Sequence, residues 1–190
     1  MKTQYYTATS LDGFIAGPDH SLDWLFQFGE PADGDYPAFL ADIGAIAMGS
    51  STYEWLLRHH IRPGAPQPMP WPYAQPVWVF STRAQESVPG ADVRFVRGDV
   101  RPVHEAMVRA AGGKNLWIVG GGGLAGQFAD HGLLDELILT YAPVILGSGA
   151  PLLPRRLTTP PFEVVSTRRM GPSFVQITLR PAQPPAPPEG

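Results

Sequence analysis

Cysteine is absent from this chain, so no disulfide framework, thiolate metal site or thiol nucleophile is open to it. No apolar run approaches the roughly 20 residues that a membrane-spanning helix needs. The first residues, Met1-Lys2-Thr3-Gln4-Tyr5-Tyr6, lack the apolar core of a secretory signal, and a cytoplasmic protein is the expectation. Positive charge is not in excess either. The net charge of −3 gives nucleic acid no basic surface to hold. His20, His59, His60, His104 and His131 fall in no metal-ligand spacing, so no metal is expected, and His59-His60 reads as a polar helix end. The G-x-S-x-G elbow of esterases is missing.

Glycine and proline are plentiful, and their placement is informative. The 22 prolines cluster at 63–76 and at 181–190. The second cluster has no hydrophobic periodicity and reads as an extended, dispensable tail, which leaves residues 1–180 as one domain. With 44% apolar residues, that length can bury a substantial core.

Thr3 to Thr9 reads as a strand, Asp12-Gly13 as a turn, and Phe14-Ile15-Ala16 as a second extended piece. Ser21 is placed to cap a short helix carrying Leu22, Leu25 and Phe26, and Pro37 suits the first turn of another helix through Leu40. A strand over 45–49 runs into a helix with Tyr53, Leu56 and Leu57 at helical spacing. Further strands are predicted at 76–80 and 93–96, then a helix from about Pro102 to Ala111 with Val103, Met107 and Ala110 on one face. Next come a strand at 116–119, a helix to His131, and a strand at 136–141 with room to run on to Leu146. Residues 162–170 and 174–179 form a closing antiparallel pair around Gly171-Pro172. The expected fold is α/β: a mixed, mostly parallel central sheet with a C-terminal antiparallel hairpin and helices on both faces.

The run Gly120-Gly121-Gly122-Gly123-Leu124-Ala125 interrupts an apolar strand and opens a helix. Four glycines are costly in regular structure, but they let a ligand touch backbone N–H groups at the positive end of a helix dipole. A phosphate-bearing nucleotide is the natural guest. Gly121, Gly123 and Gly126 spell G-x-G-x-x-G, yet the run follows several strands and the next strand ends in Thr140-Tyr141 without the expected acid. That excludes a Rossmann site. Gly49-Ser50-Ser51-Thr52 is a second strand-to-helix turn that reads alone as a helix cap, and Ser81-Thr82-Arg83 is a strand end that reads alone as a solvated loop.

In order, 10–16, 48–54, 79–83, 118–122 and 135–139, with Pro143-Val144-Ile145-Leu146-Gly147-Ser148-Gly149, resemble the dihydrofolate reductase-like superfamily, in particular the riboflavin-biosynthesis reductase (RibD C-terminal) domain family. The resemblance covers residues 2 to about 180. It implies an NADPH-dependent, homodimeric reductase acting on a small molecule. Gly49, Ser50, Ser51, Thr52 and the turn from Gly120 through Gly121, Gly122, Gly123 and Leu124 to Ala125 would hold the pyrophosphate region. Ser81, Thr82 and Arg83 would take the 2′-phosphate, and Ala8 and Ile15 would flank the nicotinamide. The Gly120–Gly121 peptide would be cis. Relatives commonly carry Arg where this chain has Ser50, which implies a weaker hold on phosphate.

For a pterin, the protein must also supply a proton source. Asp33 resembles the carboxylate of dihydrofolate reductases, although Gly34 and Pro37 favour a solvated loop acid. Asp12 serves equally as a catalytic candidate or as an Asp-Gly turn residue. Thr140 is a strand-end hydroxyl able to bond a substrate. Trp24, Phe28 and Trp55 offer stacking surfaces, with core packing as their default role. The proline-tryptophan segment of the dihydrofolate reductase loop is not evident between Gly13 and Asp23. The expectation is a reductase of a small planar heterocycle or another small electrophile. A true dihydrofolate reductase and a non-catalytic nucleotide-binding module are the alternatives.

Overall fold

The computed structural model describes residues 1–29 and 36–182. Along the chain run β1 (Thr3–Thr9), β2 (Phe14–Ala16), α1 (Asp23–Phe26), α2 (Tyr36–Ala41), β3 (Ile43–Gly49) and α3 (Ser50–Leu56), which continues into a π-turn, Leu57–Ile61. Then follow β4 (Val77–Phe80), β5 (Val93–Val96), α4 (Val100–Ala111), β6 (Asn115–Gly120), α5 (Gly122–Asp130) and β7 (Glu136–Tyr141). The chain closes with β8 (Ala150–Pro151), β9 (Phe162–Met170) and β10 (Phe174–Pro181). The described part of Asp33's neighbourhood stops at Gly29 and resumes at Tyr36, so Asp33 lies outside the described residues.

Eight strands form one sheet in the order β5-β4-β3-β6-β1-β7-β10-β9. The pairings from β5 to β7 are parallel, and β10 runs antiparallel to both β7 and β9. This is the mostly parallel sheet with a C-terminal hairpin that the patterning predicts. Parallel strands need covering on both faces, and the side-chain alternation supplies it. Ala45, Ala47, Trp78, Leu116 and Ile118 pack on α4 and α5 residues such as Met107 and Phe128. Their neighbours Ile46, Met48, Val77, Val79 and Trp117 pack on the opposite side against Tyr53, Leu56 and Leu57. Among the described residues no helix is long and apolar enough to cross a membrane.

Several element boundaries differ from expectation for local reasons. Helix α4 begins at Val100 rather than near Pro102 because Asp99 caps it, its carboxylate accepting the Arg101 N–H at 2.9 Å. Hydrogen bonds from the Arg101 side chain and backbone, aided by its charge, hold the Asp99 carboxyl down to about 2. On the same helix Ala111 is buried and Ala110 is exposed. Strand β7 stops at Tyr141 and does not reach Leu146. Residues 142–149 leave the sheet, and β8 pairs with β2 in a separate two-stranded ribbon that the sequence pattern does not reveal. Strand β10 extends through Pro181, paired with Phe162, one residue into the predicted tail, while residues 183–190 lie outside the described part.

Candidate functional site

Strands β1, β3, β4 and β6 are mutually parallel through their pairings, so their C-terminal ends reach the same edge of the sheet. In open α/β sheets that edge is where ligands bind. The turns after β3, β4 and β6 are therefore brought together by topology, although Thr52 and Ser81 lie 29 positions apart and Gly49 and Gly120 lie 71 apart in sequence. A cavity of about 660 Å³ opens there. Its lining includes Ala8 and Ile15, Gly49, Ser50, Ser51 and Thr52 from the β3–α3 turn, and the run from Gly120 to Leu124.

The two glycine turns touch. A Cβ placed on Gly49 would stand 3.6 Å from the Gly121 nitrogen, and one placed on Gly121 would stand 3.7 Å from Ile15 Cδ1. Gly120 has φ +151°, a conformation that side-chain-bearing residues rarely adopt, and the Gly120–Gly121 peptide is cis. Gly121 is the N-cap of α5, and its carbonyl accepts the Leu124 N–H at 3.0 Å. The N–H groups of Gly122 and Gly123, which open the helix, have no acceptor within it, which makes this backbone a receptor for negative charge. Gly122 is needed for another reason: a Cβ there would meet the carbonyl oxygens of both Pro151 and Leu152 at 2.3 Å. Ala125 is fully buried and packs into the core behind the turn, away from the cavity lining.

The Ser81-Thr82-Arg83 turn lies beyond Phe80, which lines the cavity. Arg83 donates to Glu54 Oε1 at 2.8 Å, and Gln85 Nε2 bridges the same Glu54 oxygen at 3.0 Å and Ser81 Oγ at 3.1 Å. The guanidinium is thus held over the end of α3 while remaining largely exposed.

Asp12 stands outside the lining and acts as a latch. Its carboxylate accepts the Ser10 hydroxyl at 2.6 Å and the backbone N–H groups of Leu146 at 3.1 Å and Gly147 at 2.7 Å. Leu11 N donates to Val144 O at 2.8 Å, and Leu152 N to Gly13 O at 2.8 Å. Together with the β2–β8 ribbon, these bonds pin residues 10–16 to residues 144–152, and both segments contribute cavity wall through Ile15, Ala16, Ala150 and Pro151. The Ser10 hydroxyl bond, then the two backbone bonds, keeps the Asp12 carboxyl below the usual carboxylate range. An acid held ionised in this way anchors a loop and is a poor proton donor. A folded-state value below the unfolded one means the latch is complete above the ordinary Asp range and is lost as pH falls through the lowered value. Amide shifts of Leu146 and Gly147 should therefore titrate together below the ordinary Asp range, and the titration should vanish in Asp12→Asn. A midpoint at or above the ordinary range would contradict the latch.

Thr140 is buried, and its hydroxyl accepts Gln176 Nε2 at 3.1 Å, so it too lies outside the lining. Trp24 and Phe28 are core residues after all, packed with Ala142, Met170 and Phe174. Trp55 does line the cavity, with its ring stacked on His59 at 4.4 Å between centroids. Sequence reasoning missed Tyr6, Tyr73 and Trp117, which form the aromatic end of the cavity. Tyr73 and Trp117 meet edge to face at 5.8 Å, and Trp117 Nε1 is engaged by Tyr6 O at 3.1 Å.

The RibD C-terminal domain model matches residues 2–176. The uncharacterized protein YwjB of Bacillus subtilis (strain 168) is 33% identical over 170 residues, covering 90% of this chain and 92% of its own. A putative riboflavin biosynthesis protein from Shewanella sp. PV-4 superposes with a TM-score of 0.79 at 29% identity, covering 96% of this chain and all of the other. At the level of fold alone, a diaminohydroxyphosphoribosylaminopyrimidine deaminase/5-amino-6-(5-phosphoribosylamino)uracil reductase from Thermotoga maritima gives a TM-score of 0.63 at 19% identity. That match covers 95% of this chain but 56% of the larger protein. With a dihydrofolate reductase-like fold and a family match over nearly its whole length, the chain belongs to the RibD C-terminal domain family.

Proposed function

We propose that this chain is an NADPH-dependent reductase that delivers a hydride to a small planar heterocycle or a related small electrophile. One observation carries the reading: the β3–α3 and β6–α5 turns converge on one cavity that continues into an aromatic recess. The donor set fits the cofactor. Backbone N–H groups of residues 121–123 and the Ser50, Ser51 and Thr52 hydroxyls would hold the pyrophosphate, and the absence of a bulky side chain on Gly121 and Gly123 leaves the backbone approachable. Arg83, with Ser81 and Thr82, would take the 2′-phosphate. When bound, NADPH supplies the hydride. The protein's part is to orient the two rings, with Ala8 and Ile15 beside the nicotinamide, and to exclude water beneath the pinned 10–16 and 144–152 segments.

The test is a titration of purified protein with NADPH and, separately, NADH, followed by nucleotide fluorescence. Micromolar NADPH binding with much weaker NADH binding is expected, and binding of neither would overturn the reading. A homodimer is part of the same proposal. Among the described residues nothing pairs with the outer edge of strand β9, where Val164 and Val165 are 64% and 49% exposed. Light scattering should give twice the monomer mass, and Val164→Lys should shift it to the monomer.

A further inference from the structure

The aromatic recess says what kind of substrate the cavity suits. It lies at Tyr6 of β1, whose ring neighbours Trp117, with Tyr73 meeting Trp117 edge to face. Among the described residues that line the whole cavity there is no Lys, Arg, Asp or Glu. The undescribed stretches 30–35 and 183–190 contain no Lys or Arg in their sequence, so neither can contribute a cation. The lining side chain able to carry positive charge is His20, an exposed residue. The backbone N–H groups at the head of α5 and the Arg83 turn are used by the cofactor in the reading above. A substrate phosphate seated in the recess would thus find no guanidinium or ammonium among the described lining residues to pair with.

The polar group the recess does offer is neutral. Burial, then the neighbouring Tyr36 with which it shares a hydrogen bond, pushes the Tyr73 phenol well above its usual range, so this polar edge stays neutral. The aromatic surfaces of Tyr6, Tyr73 and Trp117 suit a planar ring.

We infer that the substrate is an uncharged, unphosphorylated planar ring, in contrast to the phosphoribosyl compound named for the Thermotoga maritima reductase. The inference rests on the reductase reading for the role of the recess, but its test does not need turnover. Trp55 and Trp117 report occupancy by fluorescence quenching, both in the free protein and in protein saturated with NADP⁺. The probes are 5-amino-6-ribosylaminouracil, the same compound with its 5′-phosphate, and the neutral pteridine lumazine. The expected result is that a neutral ring binds and that the phosphate improves affinity by less than about fivefold, because a charge-paired phosphate would contribute about tenfold or more. Tyr73→Ala, which removes an aromatic wall of the recess, should weaken the neutral rings several-fold while leaving NADPH affinity unchanged. A phosphate gain above about fivefold would overturn the inference, as would failure of every neutral ring to quench. Failure of NADPH to bind would instead sink the reductase reading, and the free-protein titrations would still rank the phosphorylated and unphosphorylated probes.

Discussion

Replacing Gly122 by alanine is expected to lower the melting temperature by roughly 5–10 °C, the equivalent of an overpacking penalty of about 2–3 kcal/mol in a domain of this size. The added methyl would lie 2.3 Å from two carbonyl oxygens, those of Pro151 and Leu152. Neither is the end of a flexible side chain, so α5 and β8 must separate. That movement strains the bond from the Tyr5 hydroxyl to Leu152 O, now 3.0 Å, and displaces Pro151 from the cavity wall. Nucleotide affinity should fall with stability. The neighbouring Gly123→Ala is the control, because a Cβ there meets nothing within 4 Å. Its melting temperature should stay within about 1 °C of the parent, as for an ordinary surface change. Equal losses in both variants, read by differential scanning calorimetry, would show that the close approach of α5 to β8 is not what makes Gly122 necessary.

The second large effect is expected at Arg83. Its guanidinium now pairs with Glu54, and both groups are substantially exposed, so that pair itself contributes little to stability. Its value would lie in holding a bidentate donor ready for a 2′-phosphate. Arg83→Ala should weaken NADPH binding by about tenfold or more, in line with loss of a charge-assisted contact, and leave NADH binding unchanged. Glu54→Gln should act in the opposite direction for NADPH, since it removes a carboxylate that competes for the guanidinium. Isothermal titration with both nucleotides separates the cases. Parallel losses for NADPH and NADH in Arg83→Ala would mean that Arg83 shapes the turn and does not recognise the phosphate.

The strand-to-helix glycine turns were legible because their chemistry is local: an apolar strand, a break that only glycine tolerates cheaply, then a helix. Parallel pairing then placed Gly49 against Gly121, as the order of the motifs implied. The aromatic recess was not legible. Trp117 belongs to an alternating buried strand and Tyr73 to a proline-rich segment, and alternation cannot tell a side chain in the core from one facing a cavity. The β2–β8 ribbon escaped because β8 has two residues, too few for any periodicity. Asp12 remained ambiguous for a related reason. Its partners at Leu146 and Gly147 lie 134 and 135 positions away, and only the folded chain shows that the Asp-Gly turn is also a clasp. Likewise, Thr140 is satisfied by Gln176 across the β7–β10 pairing, a partner that a strand-end hydroxyl cannot announce in sequence.

A crystal structure of the NADPH complex tests the central claim most directly. The account predicts pyrophosphate oxygens within hydrogen-bonding distance of the backbone N–H groups of residues 121–123, the 2′-phosphate beside Arg83, and the nicotinamide against Ala8 and Ile15 with its open face toward the aromatic recess. A nucleotide bound elsewhere, or one whose adenine fills the recess beside Tyr73 and Trp117, would contradict it.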